Sequence, residues 1–255
     1  MSNRVILLKN KTSKLDSYEN LFKQHQYDPV FLPLIKHQHI PDEAFQVLNS
    51  LEYLVNLKYI IITSQRTVEC LMETILPNLC DDHKRLLLSK TVYTVGPATA
   101  GFLERIGFVN IKGGDRAGNG SILADVMIDE LSVDQDICLQ QEILFLVGEI
   151  RRDIIPTKLS SAGFNIREIV TYKTCPLEDN LTRFQDALKP GSWVVLFSPQ
   201  GTKDILDFLK QHPHLKCNVA TIGPTTEKYM LDQGVKPNVV SPKPDCLSLL
   251  HSIMP

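Results

Sequence analysis

Two corners of this chain carry residue types suited to gripping an anion: Val95-Gly96-Pro97-Ala98-Thr99 and Ile222-Gly223-Pro224-Thr225-Thr226. In each, a β-branched run stops at Gly-Pro and turns at once into a helical pattern. Glycine lets a ligand approach the backbone, and proline suits the first helical position, where its missing N–H is no loss. The first-turn amides then point outward without intrahelical partners, with Thr99, Thr225 and Thr226 offering hydroxyls beside them, and this combination binds anions. Threonine is also a common cap, so one copy alone is equally well a plain helix start; two copies favour a shared use.

A second pair of polar residues follows the same spacing. Ser64 ends the apolar run 58–63 and Ser198 ends the run 193–197, so the serines lie as far apart as the glycines to within seven positions. Neither serine has a Gly-x-Ser-x-Gly elbow or an identifiable base, which leaves serine hydrolysis unsupported; a strand-end cap is the competing reading for both. The cations nearby are Arg66 and the pair Arg151-Arg152 beyond Gly148. The pair reads as opening a helix over 151–162, where a cation opposes the dipole, and that cost hints at an anion held by Arg152. An ordinary ion-paired surface arginine is the alternative, for Arg66 as well.

Other constellations fail on their spacing. In Gly113-Gly114-Asp115-Arg116-Ala117-Gly118-Asn119-Gly120-Ser121, Asn119 stands where a phosphate-binding loop requires lysine. His37-Gln38-His39 and His212-Pro213-His214 lack partners at zinc-site spacing and read as solvated loop histidines, so no metal site is expected. The six cysteines, Cys70, Cys80, Cys138, Cys175, Cys217 and Cys246, show no CxxC pattern, and free thiols in a reducing compartment are the expectation.

The elements that must position these groups alternate between strands and helices. Strands are expected at 4–8, 28–32, 58–63, 142–147, 165–171 and 193–197, with a short one at 109–111. Helices are expected at about 15–24, 42–55, 66–76, after Gly96 to about 107, at 121–131, 151–162, 181–188 and after Gly223. Residues 33–41, with two prolines and alternating polarity, read as an exposed extended connector; 173–176 reads as a polar break. This alternation implies parallel sheets covered by helices on both faces, with ligands at the carboxyl ends of the strands. Ser64, Thr99, Ser198, Thr225 and Thr226 all fall at such ends.

A chain of 255 residues suits two domains of about 125 residues each. Its net charge of −2, without a long basic run, offers no footprint for nucleic acid or an anionic membrane. The apolar runs are far shorter than the roughly 20 residues of a membrane span. With no apolar stretch at the N-terminus long enough for a signal peptide, a cytoplasmic location is expected.

Taken together, these residues resemble the uroporphyrinogen-III synthase family across nearly the whole chain. The resemblance is carried by Thr63-Ser64-x-Arg66-x-Val68, Val95-Gly96-x-x-Thr99-Ala100, Gly148-x-x-x-Arg152, Tyr172-Lys173-Thr174, Phe197-Ser198-Pro199-x-Gly201 and Ile222-Gly223-Pro224-Thr225-Thr226, in that order. The chain departs at Gln65, where proline is usual, and at Thr67, where a small residue is common. The resemblance implies an α/β fold of two similar doubly wound, flavodoxin-like lobes, one discontinuous (1–33 with 175–255), the other continuous (41–167), joined by a two-stranded connector of 34–40 and 168–174. It implies closure of hydroxymethylbilane to uroporphyrinogen III with inversion of the last pyrrole ring and loss of water, by a monomer using neither metal nor organic cofactor. Substrate contacts are then expected from Ser64, Arg66, Gly96, Thr99, Gly148, Arg152, Ser198, Gly201, Gly223, Thr225 and Thr226. Tyr172, at the end of its strand, is the candidate catalytic residue, because a phenol keeps its proton at neutral pH and can donate it to the departing hydroxyl. A two-lobed binding or sensor protein that closes on an anionic ligand without turnover fits the same repeats and helix starts, and stays open at this point.

Overall fold

The computed structural model describes residues 3–12, 16–133 and 141–254. In chain order it contains β1 (Arg4–Leu8), α1 (Ser17–Gln24), β2 (Asp28–Phe31), β3 (Ile35–His39), α2 (Asp42–Leu48), α3 (Leu51–Asn56), β4 (Tyr59–Ile62) and α4 (Gln65–Cys70), which runs on through a π-helical turn. Next come α5 (Asp81–Leu88), β5 (Thr91–Val95), α6 (Pro97–Arg105), β6 (Asn110–Gly114), α7 (Gly120–Val133), β7 (Glu142–Gly148), α8 (Ile154–Ser161), β8 (Asn165–Pro176) and α9 (Asn180–Ala187). The chain closes with β9 (Trp193–Leu196), α10 (Lys203–Gln211), β10 (Asn218–Ile222), α11 (Pro224–Asp232), β11 (Val239–Ser241) and α12 (Cys246–Ile253). Leu15 and Cys138, to which sequence expectations attach, lie outside the described residues. Cys70, Cys80, Cys217 and Cys246 are free thiols. No helix among the described residues is long and apolar enough to cross a membrane.

The chain divides into two compact units, one of residues 1–36 with 175–255 and one of residues 37–174. In the first, the strands lie in the order β11-β10-β9-β1-β2 and all pair in parallel. In the second, the order is β3-β8-β7-β4-β5-β6, with β4 to β8 in parallel. Starting the first unit at β9 makes its strands β9, β10, β11, β1 and β2 the counterparts of β4, β5, β6, β7 and β8. The two lobes are therefore one doubly wound topology entered at different strands.

Each sheet is covered on both faces, which explains its unbroken apolar runs. In β4 and β7, Ile60, Ile62, Leu144 and Leu146 feed one core while Ile61, Phe145 and Val147 feed the other. In the first unit, Ile6, Leu8, Val194 and Leu196 alternate in the same way with Val5, Leu7 and Val195.

Several expectations need correction. The segment read as an exposed connector contains a paired edge strand, β3, whose alternating polarity reflects one half-buried face. The expected helix 42–55 is two helices, broken where Ser50 caps α3 by accepting the Tyr53 amide at 3.3 Å. That break changes the helical phase, so Leu54 is buried while Leu51 and Val55 are exposed. The break at 173–176 is the end of β8, and the strand expected at 109–111 extends to Gly114. Helix α5 was not anticipated.

Candidate functional site

In a doubly wound sheet, ligands bind where neighbouring strands send their connections to opposite sides. In the second unit that point lies between β4 and β7. Their carboxyl ends open into a cavity of about 630 Å³, lined by Ser64, Gly148, Arg152 and Tyr172 together with Val95, Phe145, Val147, Ile150, Ile154 and Ile155. Four of the sequence-predicted site residues thus meet in one place. Arg66, Gly96 and Thr99, from the same unit, do not line it.

Tyr172 reaches this cavity through an irregularity in β8. The pairing of β7 with β8 runs in step to Val147 opposite Val170, then sets Gly148 opposite Tyr172, which leaves Thr171 as an extra residue. Such a bulge re-aims the following side chain. Thr171 turns inward: it is fully buried, its hydroxyl donates to the Val147 carbonyl at 3.0 Å, and the Thr67 hydroxyl meets it at 3.0 Å. Tyr172 turns outward to Ser64, whose hydroxyl donates to the phenol oxygen at 3.0 Å. The Ser64 oxygen in turn accepts the Arg66 amide at 3.2 Å and caps α4, so the cap expected of it and the contact with Tyr172 coexist. Because the phenol oxygen is an acceptor toward Ser64, its own proton remains available to a third group.

His37 was missed as a site residue because two histidines on a polar stretch read as loop. In the structure its ring meets Tyr172 edge to face, 5.8 Å between centroids, and its Nδ1 lies 3.2 Å from the Thr174 hydroxyl. Burial, and then the nearby Arg66 charge, push its pKa below the ordinary histidine value, which keeps the ring neutral at pH 7. A histidine alternating with exposed Lys36 and Gln38 was the one available signal that its side chain faces inward.

The cations sort themselves by partner. Arg151 is committed to Glu168 at 2.5 Å, a hydrogen bond that raises its pKa. Arg66 is held by both oxygens of Glu69 at 2.6 and 2.7 Å. Arg151 and Arg152 both line the cavity, but Arg152 is exposed and has no ion pair or hydrogen bond among the described residues. Neither Arg151 nor Arg152 opens a helix as expected: α8 begins at Ile154 behind Asp153, and both arginines belong to the preceding turn. No unfavourable dipole contact therefore exists to argue from; the free guanidinium at the cavity is the stronger observation.

The first unit offers a counterpart at the ends of β9, β10 and β11. A cavity of about 630 Å³ is lined there by Ser198, Gly223, Thr225 and Thr226. Gly96 and Gly223 both adopt left-handed backbone, φ 75° and 77°, and begin their helices with no side-chain cap, as the repeated corner demands. The threonine hydroxyls are not all beside those amides as expected. Thr225 is exposed, but Thr226 is buried and bonds the Phe197 carbonyl at 3.5 Å, and Thr99 is buried at the equivalent place. Gly201 lies outside the cavity and packs on Leu34, whose carbonyl oxygen would sit 2.8 Å from an added Cβ. His212 caps α10 and stacks on Phe208 with centroids 4.3 Å apart instead of lying free in a loop. Among the described residues, no group of three or more His, Cys, Asp or Glu side chains could hold a metal ion.

Comparison with known proteins identifies the family. The family described as Uroporphyrinogen-III synthase HemD matches residues 16–251. The curated uroporphyrinogen-III synthase of Saccharomyces cerevisiae is 55% identical over 98% of this chain and 95% of its own, and that of Schizosaccharomyces pombe is 34% identical over the same shares. Among solved structures, the uroporphyrinogen-III synthetase of Helicobacter pylori shares the fold at a TM-score of 0.57, with 20% identity over 98% of this chain and 100% of that one.

Proposed function

The chain belongs to the uroporphyrinogen-III synthase family, and from that premise we propose how its site acts on hydroxymethylbilane. The reaction is that of a cyclising lyase of haem biosynthesis: the linear tetrapyrrole loses water and closes to uroporphyrinogen III with its last ring inverted. Its hydroxymethyl C–O bond breaks and the hydroxyl leaves with a donated proton as water; a pyrrole carbon of the same molecule attacks the electrophilic methylene carbon that remains, and the proton lost as the closed ring regains its pyrrole form returns to the donor.

Tyr172 supplies that proton. The observation that supports this is the Ser64 hydrogen bond onto the phenol oxygen, which turns the phenol into a donor for what enters the cavity and stabilises the charge it acquires on giving its proton up. Arg152, unpaired at the rim, takes a substrate carboxylate. The apolar wall of Ile150, Ile154 and Ile155 receives pyrrole faces and limits reaction of the electrophile with water. Ser198, Gly223 and Thr225 line the first unit's own cavity, where they can hold a carboxylate. Gly96, Thr99, Arg66, Gly201 and Thr226 then support these groups more through local structure than through direct contact. Positioning carries much of the rate, since correctly held reacting groups can be worth roughly 7 to 11 kcal/mol. We further infer a cytoplasmic location, supported by the free thiols of Cys70, Cys80, Cys217 and Cys246.

Tyr172→Phe keeps the ring and removes the donor. A drop in turnover of about 10²-fold with folding intact is expected, at the lower end of general acid catalysis. A change under about threefold returns Tyr172 to a packing role and leaves catalysis to cavity shape and backbone amides.

A further inference from the structure

Tyr172 and Gly148 stand opposite each other on β8 and β7, and the phenol ring lies directly across the glycine. A Cβ added to Gly148 would fall 2.5 Å from Cζ of Tyr172, 2.6 Å from its hydroxyl oxygen and 2.9 Å from Cε1. Real carbon atoms do not approach so closely, so any side chain at 148 must displace the ring. The atoms in the way are the far end of one side chain, which can swing. The backbone around the two strands can therefore persist while the phenol moves. Gly148 is buried, and its backbone φ is not in the left-handed region, so conformational freedom does not explain the residue; room for the ring does. The bulge at Thr171, anchored by the hydroxyl bond to the Val147 carbonyl, is what sets Tyr172 against Gly148 rather than one step along the strand.

We propose that Gly148 is a positioning residue: with the Thr171 bulge it forms the seat that holds the Tyr172 phenol against Ser64 and the cavity, and the side chain it lacks is its contribution to the reaction. This role rests on the reading of Tyr172 as the proton donor and differs from a direct contact between the Gly148 backbone and substrate. Moving the phenol by the distance an alanine methyl demands breaks the 3.0 Å bond from Ser64 and takes the donor away from the departing hydroxyl. A misplacement of about 1 Å can cost on the order of 10²-fold in rate.

The test compares wild type, Gly148→Ala, Tyr172→Ala and the double variant, each carrying 3-fluorotyrosine at its tyrosines. The fluorine resonance of Tyr172 is identified by its loss in Tyr172→Phe, and folding is followed by circular dichroism. In Gly148→Ala the Tyr172 resonance should move while the others stay, and kcat should fall about 10- to 100-fold with KM changed less than about threefold. In the Tyr172→Ala background, where the space is empty, Gly148→Ala should add less than about twofold, because a residue acting through another has nothing left to act on. An unmoved resonance overturns the proposal. So does a loss that multiplies in the double variant, which would place Gly148 in contact with substrate. Full activity of Tyr172→Phe would remove the acid role instead, and the moved resonance would then uphold the seat alone. Should Gly148→Ala fail to fold, Thr171→Val removes the anchoring hydroxyl of the bulge; it must shift the same resonance and lower kcat, and no shift overturns the proposal equally.

Discussion

The two lobes repeat one topology, yet their switch points are built for opposite purposes. Between β4 and β7 the second unit leaves an opening: Ser64 ends one strand, the other ends in a glycine, and the phenol of Tyr172 lies over the gap. Between β9 and β1 the first unit is filled. Beyond Leu8 the chain places Lys9 with its ammonium 4.4 Å from the ring centre of Tyr18, 5.3 Å from Phe197 and 5.7 Å from Phe31, and 3.4 Å from Asp16. A cation enclosed by ring faces and a carboxylate is a structural tie, each ring being worth about 0.5 to 2 kcal/mol. The first unit's cavity sits one strand further along, beside β10 and β11. Topology fixes where a doubly wound sheet can hold a ligand, and a few side chains at the strand ends decide whether it does.

The largest expected effect tests the filled side. Asp16 accepts the Tyr18 amide at 2.9 Å, the Thr12 amide at 3.1 Å and the Thr12 hydroxyl at 2.7 Å, besides pairing with Lys9. Burial would raise its pKa, but those hydrogen bonds and the Lys9 charge prevail and hold it at about 2. A carboxylate whose folded pKa is depressed contributes stability that is present above its unfolded value near 4 and is lost as pH falls toward 2. Asp16→Asn should therefore lower unfolding free energy by roughly 2 kcal/mol at pH 7, with the deficit shrinking below pH 4. Urea titrations across pH measure it. Turnover per folded molecule should change less than about twofold; a loss like that of Tyr172→Phe would mean that the first unit's switch point also takes part in the chemistry.

Within the open side, the arginines provide the next contrast. A charge-assisted bond to a carboxylate is worth about 1.5 to 3 kcal/mol, so Arg152→Gln should raise KM about tenfold or more with kcat little changed. Arg151→Gln should alter either constant less than about twofold, since its guanidinium already serves Glu168. Steady-state kinetics with the two results reversed would move the anion contact to Arg151.

The smallest difference separates the serines. Ser64→Ala removes the donor to Tyr172 and a helix cap, and about 0.5 to 1.5 kcal/mol implies a loss of roughly two- to twelvefold in kcat/KM. Ser198, exposed in the first unit's cavity, should cost less than about threefold when changed to alanine. Equal losses would erase the distinction drawn between the two cavities.

How far the sequence shows this depends on what each residue answers to. Strands such as β4, β7 and β9 are legible because both faces are buried and their central positions are all apolar. The Gly-Pro corners are legible because only certain residues tolerate that backbone. Ser64, Gly148, Arg152 and Tyr172 are legible as motif positions, but the bulge that brings Tyr172 onto Gly148 is not, since an unpaired Thr171 looks like any threonine in a strand. His37 is hidden because an edge strand exposes alternate residues and so resembles a loop. The Arg151–Glu168 pair and the reach of Lys9 to Phe31 and Phe197 join residues whose proximity is a product of sheet order, and nothing local announces them. The expected helix 42–55 misleads for a simpler reason: a capped break at Ser50 divides it in two.

The most direct measurement supplies freshly generated hydroxymethylbilane to the purified protein and resolves the type I and type III uroporphyrinogens formed over time. Type III should predominate, appearing faster than the uncatalysed closure and in proportion to enzyme concentration. Type I alone, at the uncatalysed rate, would contradict the assignment and leave a two-lobed protein that binds an anionic ligand without turning it over.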